Sequence, residues 1–231
     1  MDKPLNQLID WLNADAPYRE LFQRAFHGNA TSERIGQSLA AYQRTIVSNR
    51  TPFDLYLDGN RDALSSSAQN GMRLFFGRAR CSVCHQGSRL TDNRFHNIGT
   101  ADPALPEDTG RRAVTQKDSD HGRFRTPQLR EIGRTAPYMH NGKFKTLQQV
   151  VEHYNFGGVT DEANDHRDEQ LEVLYLSEDE VTDLVTFLSA GLTSQTASPE
   201  EGTSSFNARP QAPAACGSRL STGKPAPAGG R

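Results

Sequence analysis

Apolar residues along this chain recur at three- and four-residue spacing, the pattern of helices that bury one face. Over 5–13, Leu5, Leu8, Ile9 and Leu12 fall on one side, and over 18–26 Leu21, Phe22, Ala25 and Phe26 repeat the pattern. A longer helix is predicted over 32–47, opened by Thr31 or Ser32 as N-cap and burying Ile35, Leu39, Tyr42 and Ile46. Another, near 67–76, carries Met72, Leu74, Phe75 and Phe76. The segment TLQQVVEHYN at 146–155 places Leu147, Val150, Val151 and Tyr154 on one face. A last helix over about 178–190 is opened by the capping box Ser177-x-x-Glu180 and buries Val181, Leu184, Val185 and Leu188. The chain is therefore predicted to be mostly α.

Between 86 and 141 this periodicity stops, in a stretch rich in Gly, Pro, Asp, Thr and Arg. A loop this long in a compact domain is usually functional. From about Thr193 onward, Phe206 and Leu220 are the only bulky apolar residues. Such a segment buries too little surface to offset its ordering entropy, so 193–231, with Cys216, is expected to be disordered. The predicted organisation is a helical segment over 1–30, a globular domain over 31–192 and a tail over 193–231. With 26 Lys and Arg against 28 Asp and Glu the formal net charge is −2, which gives no case for nucleic acid. No stretch approaches the length of a membrane span.

Cys81-Ser82-Val83-Cys84-His85 changes the picture, because CxxCH is the attachment sequence of c-type haem. Two thiols at this spacing can each add to a vinyl group of one porphyrin, and the adjacent imidazole then lies under the iron as its proximal ligand. A zinc knuckle would need about four ligands, from a second CxxC or an HxxxH downstream, and the sequence has neither. A thioredoxin-type pair would follow a βαβ strand, a pattern that does not surround Cys81. Loops wrapped around a haem also explain 86–141, since the porphyrin supplies the apolar core. Covalent haem attachment belongs to the periplasm or an equivalent compartment. Residues 1–16 nevertheless mix apolar residues with Asp, Asn and Lys and hold no continuous signal-peptide core. The expectation is that an export signal, and more, has been lost from this chain.

The segments FFGRARCSVCHQGSRLTD, FHNIG, DHGRFRTPQLREIGRTAPYMHNGKF and TLQQVVEHYNFGG follow one another in this order. Together they resemble the C-terminal haem domain of bacterial dihaem cytochrome c peroxidases, and more closely the branch that contains MauG. The resemblance covers about 18–192 and implies a cytochrome c-like domain with long haem-wrapping loops. Members of that family carry two covalent haems in two domains: an N-terminal haem handles peroxide, and the C-terminal haem stores and relays electrons. This sequence has one CxxCH, and residues 1–30 resemble the connection between the domains. The implied function is electron transfer within an enzyme that reduces hydrogen peroxide with electrons from a small donor protein, a cytochrome c or a cupredoxin. The partner that completes it is a separate or missing N-terminal haem domain. Two alternatives stand beside this: a MauG-like oxidase acting on residues of a partner protein, and a non-catalytic monohaem electron carrier.

The resemblance also assigns residues. In the peroxidases a Met in the helix after T-L-x-x-[AV]-V is the sixth ligand of the C-terminal haem iron; here the register puts Tyr154 there, as in the MauG-like branch. A core tyrosine bonded elsewhere is the other reading of Tyr154, and Met139, in a loop where the family often has Phe, is the alternative ligand. Anionic tyrosinate favours ferric iron, and Met raises the potential. His153 points about 100° away from Tyr154 on a helix, so it is expected to be exposed or to stand behind the ligand. His96 and His140 are expected to hydrogen-bond within the loops, and His27, His121 and His166 to be surface residues. Arg125 and Arg130 are candidates to pair with haem propionates, since a planar guanidinium suits a carboxylate. Thr135 and Pro137 match positions whose carbonyls bind calcium between the family's domains, a role suited to hard oxygen donors. Phe53, Phe75, Phe76, Phe95 and Phe144 are read as haem-packing or core residues, and Trp11 does not match the family's interhaem tryptophan.

Overall fold

The computed structural model describes residues 4–102, 104, 106–159, 164 and 166–195. They form two compact units that divide between Arg44 and Thr45.

The first unit is three helices: α1 (Leu5–Ala14), α2 (Ala16–Phe26) and α3 (Ser32–Thr45). Asp15 ends α1 and caps α2, its carboxylate accepting the Tyr18 N–H, and Pro17 occupies a first-turn position where its missing N–H costs nothing. Leu12, Phe22 and Ala30 form a small core flanked by Leu8, Phe26 and Ile35. Asn13 fastens the α2–α3 link to α1, accepting from the Ala30 N–H at 2.8 Å and donating to its carbonyl at 3.1 Å. Beyond Ile35, the predicted apolar face of α3 is not buried. Leu39 and Tyr42 are 58% and 61% exposed, and Ile46, beyond the helix end, is 65% exposed. The helix itself closes two residues earlier than predicted, at Thr45, and the division after Arg44 groups it with α1 and α2 rather than with the haem-motif unit.

The second unit opens with α4 (Pro52–Leu57), held by a reciprocal capping box between Thr51 and Asp54. Next comes α5 (Ser66–Phe76), capped by Ser65 and running directly toward the haem motif. Among the described residues the interval 86–141 holds only short elements: β1 (Phe95–His96), α6 (Arg112–Thr115) and β2 (Phe124–Arg125), with scattered single turns of 3₁₀ helix. β1 and β2 pair antiparallel, with Phe95 opposite Arg125 and His96 opposite Phe124. Then follow α7 (Leu147–Asn155) and α8 (Glu178–Thr186), each with a capping box, from Thr146 and Gln149 and from Ser177 and Glu180. A π turn, Phe187–Gly191, extends α8.

The core of this unit is the crossing of α5 with α8. Gly71 makes it: a Cβ built there would lie 2.0 Å from the Asp183 carbonyl oxygen, so only glycine permits this approach. Ser67 donates to the Asp183 carboxylate at 2.5 Å beside it. Phe53, Phe75 and Phe187 pack edge to face around the crossing, with centroids 5.4 and 5.5 Å from Phe187, and Leu184 and Leu192 are fully buried. Ordered structure also runs past the predicted start of the tail. Ser194 is 2% exposed, its N–H is held by the Glu131 carboxylate, and its carbonyl accepts from Arg134 at 2.7 Å. The rest of the predicted tail, 196–231 with Cys216, lies outside the described residues. Among those residues no helix is long and apolar enough to cross a membrane.

Candidate haem site

The haem motif follows α5 through a tight reversal. Arg80 adopts φ 56° and starts a 3₁₀ turn over Cys81–Val83, and the His85 N–H then bonds the Cys81 carbonyl at 2.9 Å. This turn brings Cys81, Cys84 and His85 to the wall of one cavity of about 560 Å³, within the usual range for a cofactor pocket. Both cysteines are free thiols. Burial pushes the Cys81 thiol up to about 12; burial together with Asp92 and Asp168 pushes Cys84 to about 11. Both therefore stay protonated at neutral pH.

His85 is oriented from behind. Leu90, itself at φ 54° and 2% exposed, offers its carbonyl to His85 Nδ1 at 2.9 Å. A carbonyl only accepts, so Nδ1 carries the proton and Nε2 keeps its lone pair. Burial lowers the pKa of His85, which favours the neutral ring that a metal requires. The loop behind it closes with Thr91 N–H on the Gln86 carbonyl and Asp92 N–H on the Cys84 carbonyl.

Another part of the wall is α7. Leu147, Val150, Val151 and Tyr154, the face predicted from spacing, all line the cavity. Burial raises the pKa of the Tyr154 phenol, and the nearby Cys81 and Cys84 sulfurs push it in the same direction. Among the described residues its hydroxyl makes no hydrogen bond. Met139 also lines the cavity, from a loop position at φ 71°. His153 turns away from the cavity as expected but is not exposed: it is 7% accessible, donates from Nε2 to the Ile98 carbonyl at 2.8 Å and packs against Phe144. Asn155 fixes the end of α7 to the segment before α8, exchanging bonds with both backbone groups of Leu176 at 2.8 and 3.1 Å.

The remaining predicted residues divide. Arg125 lines the cavity and is hydrogen-bonded to Asn93. Arg130 reaches the same wall, but its guanidinium already holds Asp54 at 2.6 Å, Thr51 at 3.0 Å and the Ser88 carbonyl at 3.0 Å. Thr135 and Pro137 border the cavity as well. Of the five phenylalanines only Phe75 lines it; Phe53 belongs to the α5–α8 core, Phe76 is 46% exposed, and Phe95 lies under the Arg111 guanidinium. His140 stacks on Phe124 with centroids 3.6 Å apart, and both line the cavity. His121 bonds Glu107 at 2.7 Å. Sequence reasoning missed Phe124, Ile98 and the 168–176 segment, whose Leu171, Leu174 and Leu176 also line the cavity. Irregular segments carry no periodicity that would have found them; only the quoted FHNIG and GRFRTP segments pointed there.

The donor set fits haem c. Two reduced thiols, an imidazole oriented through Nδ1 and an apolar cavity bordered by arginine are what covalent attachment and axial ligation need.

Comparison with known proteins agrees. The family model for di-haem cytochrome c peroxidase matches residues 1–62. The methylamine utilization protein MauG of Methylophilus methylotrophus is 35% identical over 191 residues, covering 81% of this chain and 56% of that protein. The cytochrome-c peroxidase IdrP1 of Denitromonas iodatirespirans is 39% identical over 183 residues, covering 66% of this chain and 48% of its own length. The crystal structure of a MauG-like protein associated with microbial copper homeostasis superposes with a TM-score of 0.70 at 31% identity, covering 86% of this chain and 65% of that one. The chain spans about half the length of the curated relatives it matches. It belongs to the dihaem cytochrome c peroxidase/MauG family, a family of oxidoreductases.

Proposed function

We propose that this chain is the haem c electron-transfer domain of a dihaem peroxidase-type oxidoreductase, working in the periplasm with electrons from a small cytochrome c or cupredoxin. The observation that carries this reading is the convergence of Cys81, Cys84, His85 and Tyr154 on one apolar cavity. Haem c, when bound, supplies a reversible one-electron store. Cys81 and Cys84 would hold it covalently through their thiols, His85 would ligate its iron through Nε2, and Arg125, which lines the cavity, would pair a propionate. Arg130 serves the same wall indirectly, by tying the loop at Ser88 to α4 through Asp54 and Thr51. The α7 wall and the leucines of 168–176 exclude water. Calcium at the Thr135 and Pro137 carbonyls would belong to an interface with the second haem domain.

A second reading, a MauG-like oxidase of protein residues, is favoured by one feature: Tyr154 stands at the register where the peroxidases carry Met. A phenolate there would favour ferric iron by direct charge stabilisation, and proximity to the metal would lower the phenol's pKa from the raised value that burial imposes.

Expression with an export signal and a c-type haem maturation system is expected to give one haem per chain that resists acid–acetone extraction. The measurement is pyridine haemochrome absorbance with intact-mass spectrometry. Cys81→Ala with Cys84→Ala should abolish retention, and a double variant that keeps its haem would end this reading.

A further inference from the structure

Beside the haem motif, His96 is held at both ring nitrogens by carboxylates. Nε2 lies 2.9 Å from Asp92 Oδ2, and Nδ1 lies 2.8 Å from Asp168 Oδ2. The side chains are largely shielded, at 15% exposure for His96, 6% for Asp92 and 16% for Asp168. A neutral imidazole has one N–H, so against two ionised carboxylates one contact would set lone pair against lone pair. Each carboxylate also accepts a backbone N–H at its other oxygen, from Arg94 at 2.9 Å and from Gln170 at 3.2 Å, as acceptor-only ions do. The arrangement is satisfied when both ring nitrogens donate, that is, by an imidazolium.

The three residues come from three separate parts of the haem site. Asp92 ends the attachment loop, with its N–H on the Cys84 carbonyl; His96 is on β1; Asp168 opens the 168–176 wall, with its N–H on the Asn97 carbonyl. His96 and Asp168 themselves line the cavity. We propose that His96 is a positioning residue of the haem site: a fixed imidazolium that pins the attachment loop to the 168–176 segment and leaves the Asp92–His96–Asp168 group with one net negative charge beside the haem. This rests on the haem reading above.

The surroundings agree. Burial alone would lower the pKa of His96, but the hydrogen bonds and charges of Asp168 and Asp92 outweigh it and raise it. Burial would raise both carboxylates, yet His96, with Thr126 at Asp92 and Arg123 near Asp168, holds each below the usual range. Charge on His96 lowers the pKa of His85, which favours a neutral ring there. Cys84, Asp92 and His96 also bring ligand atoms within 4.8 Å of one another. That trio is not a metal centre: the Cys84 sulfur is committed to haem, and both His96 nitrogens are committed to carboxylates.

Two variants separate charge from shape. His96→Gln removes one positive charge, taking the group from −1 to −2, so the midpoint potential of the haem should fall. In Asp168→Asn the amide can donate to Nδ1 while Nε2–H still donates to Asp92, so the ring becomes neutral and the group stays at −1. The potential should then remain near that of the parent. Nitrogen-15 NMR of the histidine-labelled holoprotein at pH 7 should show an imidazolium in the parent and a neutral ring in Asp168→Asn. A neutral His96 in the parent, or an unchanged potential in His96→Gln, overturns the proposal. Pyridine haemochrome on the same samples tests the haem reading separately. If no haem is retained that reading fails, and the same NMR on the haem-free chain decides whether His96 is the imidazolium.

Discussion

At the residue scale, the proposed haem site turns on Tyr154, which lines the cavity. Helical spacing alone puts it on the face of Leu147, Val150 and Val151, and the structure brings all four to the cavity wall. Its neighbour His153 was legible only in direction. Its burial depends on the Ile98 carbonyl 55 positions earlier, which no local pattern encodes. Arg130 teaches the same lesson: a guanidinium near a haem motif reads as a propionate partner, yet its ion pair with Asp54 spans 76 positions and ties it to the α4 capping box. Tyr154→Phe removes the donor oxygen and keeps the ring, so the fold should persist. If the phenolate is the sixth ligand, the ferric optical and paramagnetic resonance spectra should change and the midpoint potential should rise; Tyr154→Met should raise it further. Should Tyr154→Phe leave both unchanged while Met139→Leu alters them, the thioether is the ligand and the relay reading gains over the MauG-like one.

At the element scale the six longer helices of the sequence reading all form, because periodicity and caps are local signals: Thr146 with Gln149 and Ser177 with Glu180 mark the starts of α7 and α8. What those helices touch was less legible. The stripe of α3 has the same spacing as that of α8, yet Leu39 is 58% exposed where Leu184 is 1% exposed. Periodicity reports that a face is apolar, not that a partner covers it. The α5–α8 crossing was equally hidden, since Gly71 inside a helix reads as a weak position until the Asp183 backbone is seen against it. In an open helix Gly→Ala gains up to about 1 kcal/mol, and Gly36→Ala in α3, with nothing within 4 Å, is expected to do so. Gly71→Ala should reverse the sign. Its Cβ would strike backbone that no rotamer change can move, so denaturant titration should show a loss of about 3 kcal/mol, at the upper end of overpacking. A neutral or stabilising Gly71→Ala would mean that the two helices are not packed this closely.

At the scale of the whole molecule, one haem motif in 231 residues sets what the chain does alone. The family works with two haems, and this chain matches about half the length of its curated relatives. The boundary between units was not legible in the sequence. The sequence reading divided the chain after residue 30, where the α2–α3 turn lies; the structure keeps α3 with the helices before it. The functional consequence concerns access to iron. If His85 and Tyr154 fill both axial positions, peroxide finds none open, and the isolated chain should accept and return electrons without turning over. Stopped-flow oxidation of a reduced small cytochrome c by hydrogen peroxide is the measurement. The haem-loaded chain is expected to fall well below the usual enzymatic range of ~1–10³ s⁻¹, while its reduction by a chemical donor proceeds in one step per haem. Turnover within that range would show an open axial position on this haem. The ligation by Tyr154 would then be wrong, and the chain would be a peroxidase by itself rather than the electron store of a larger one.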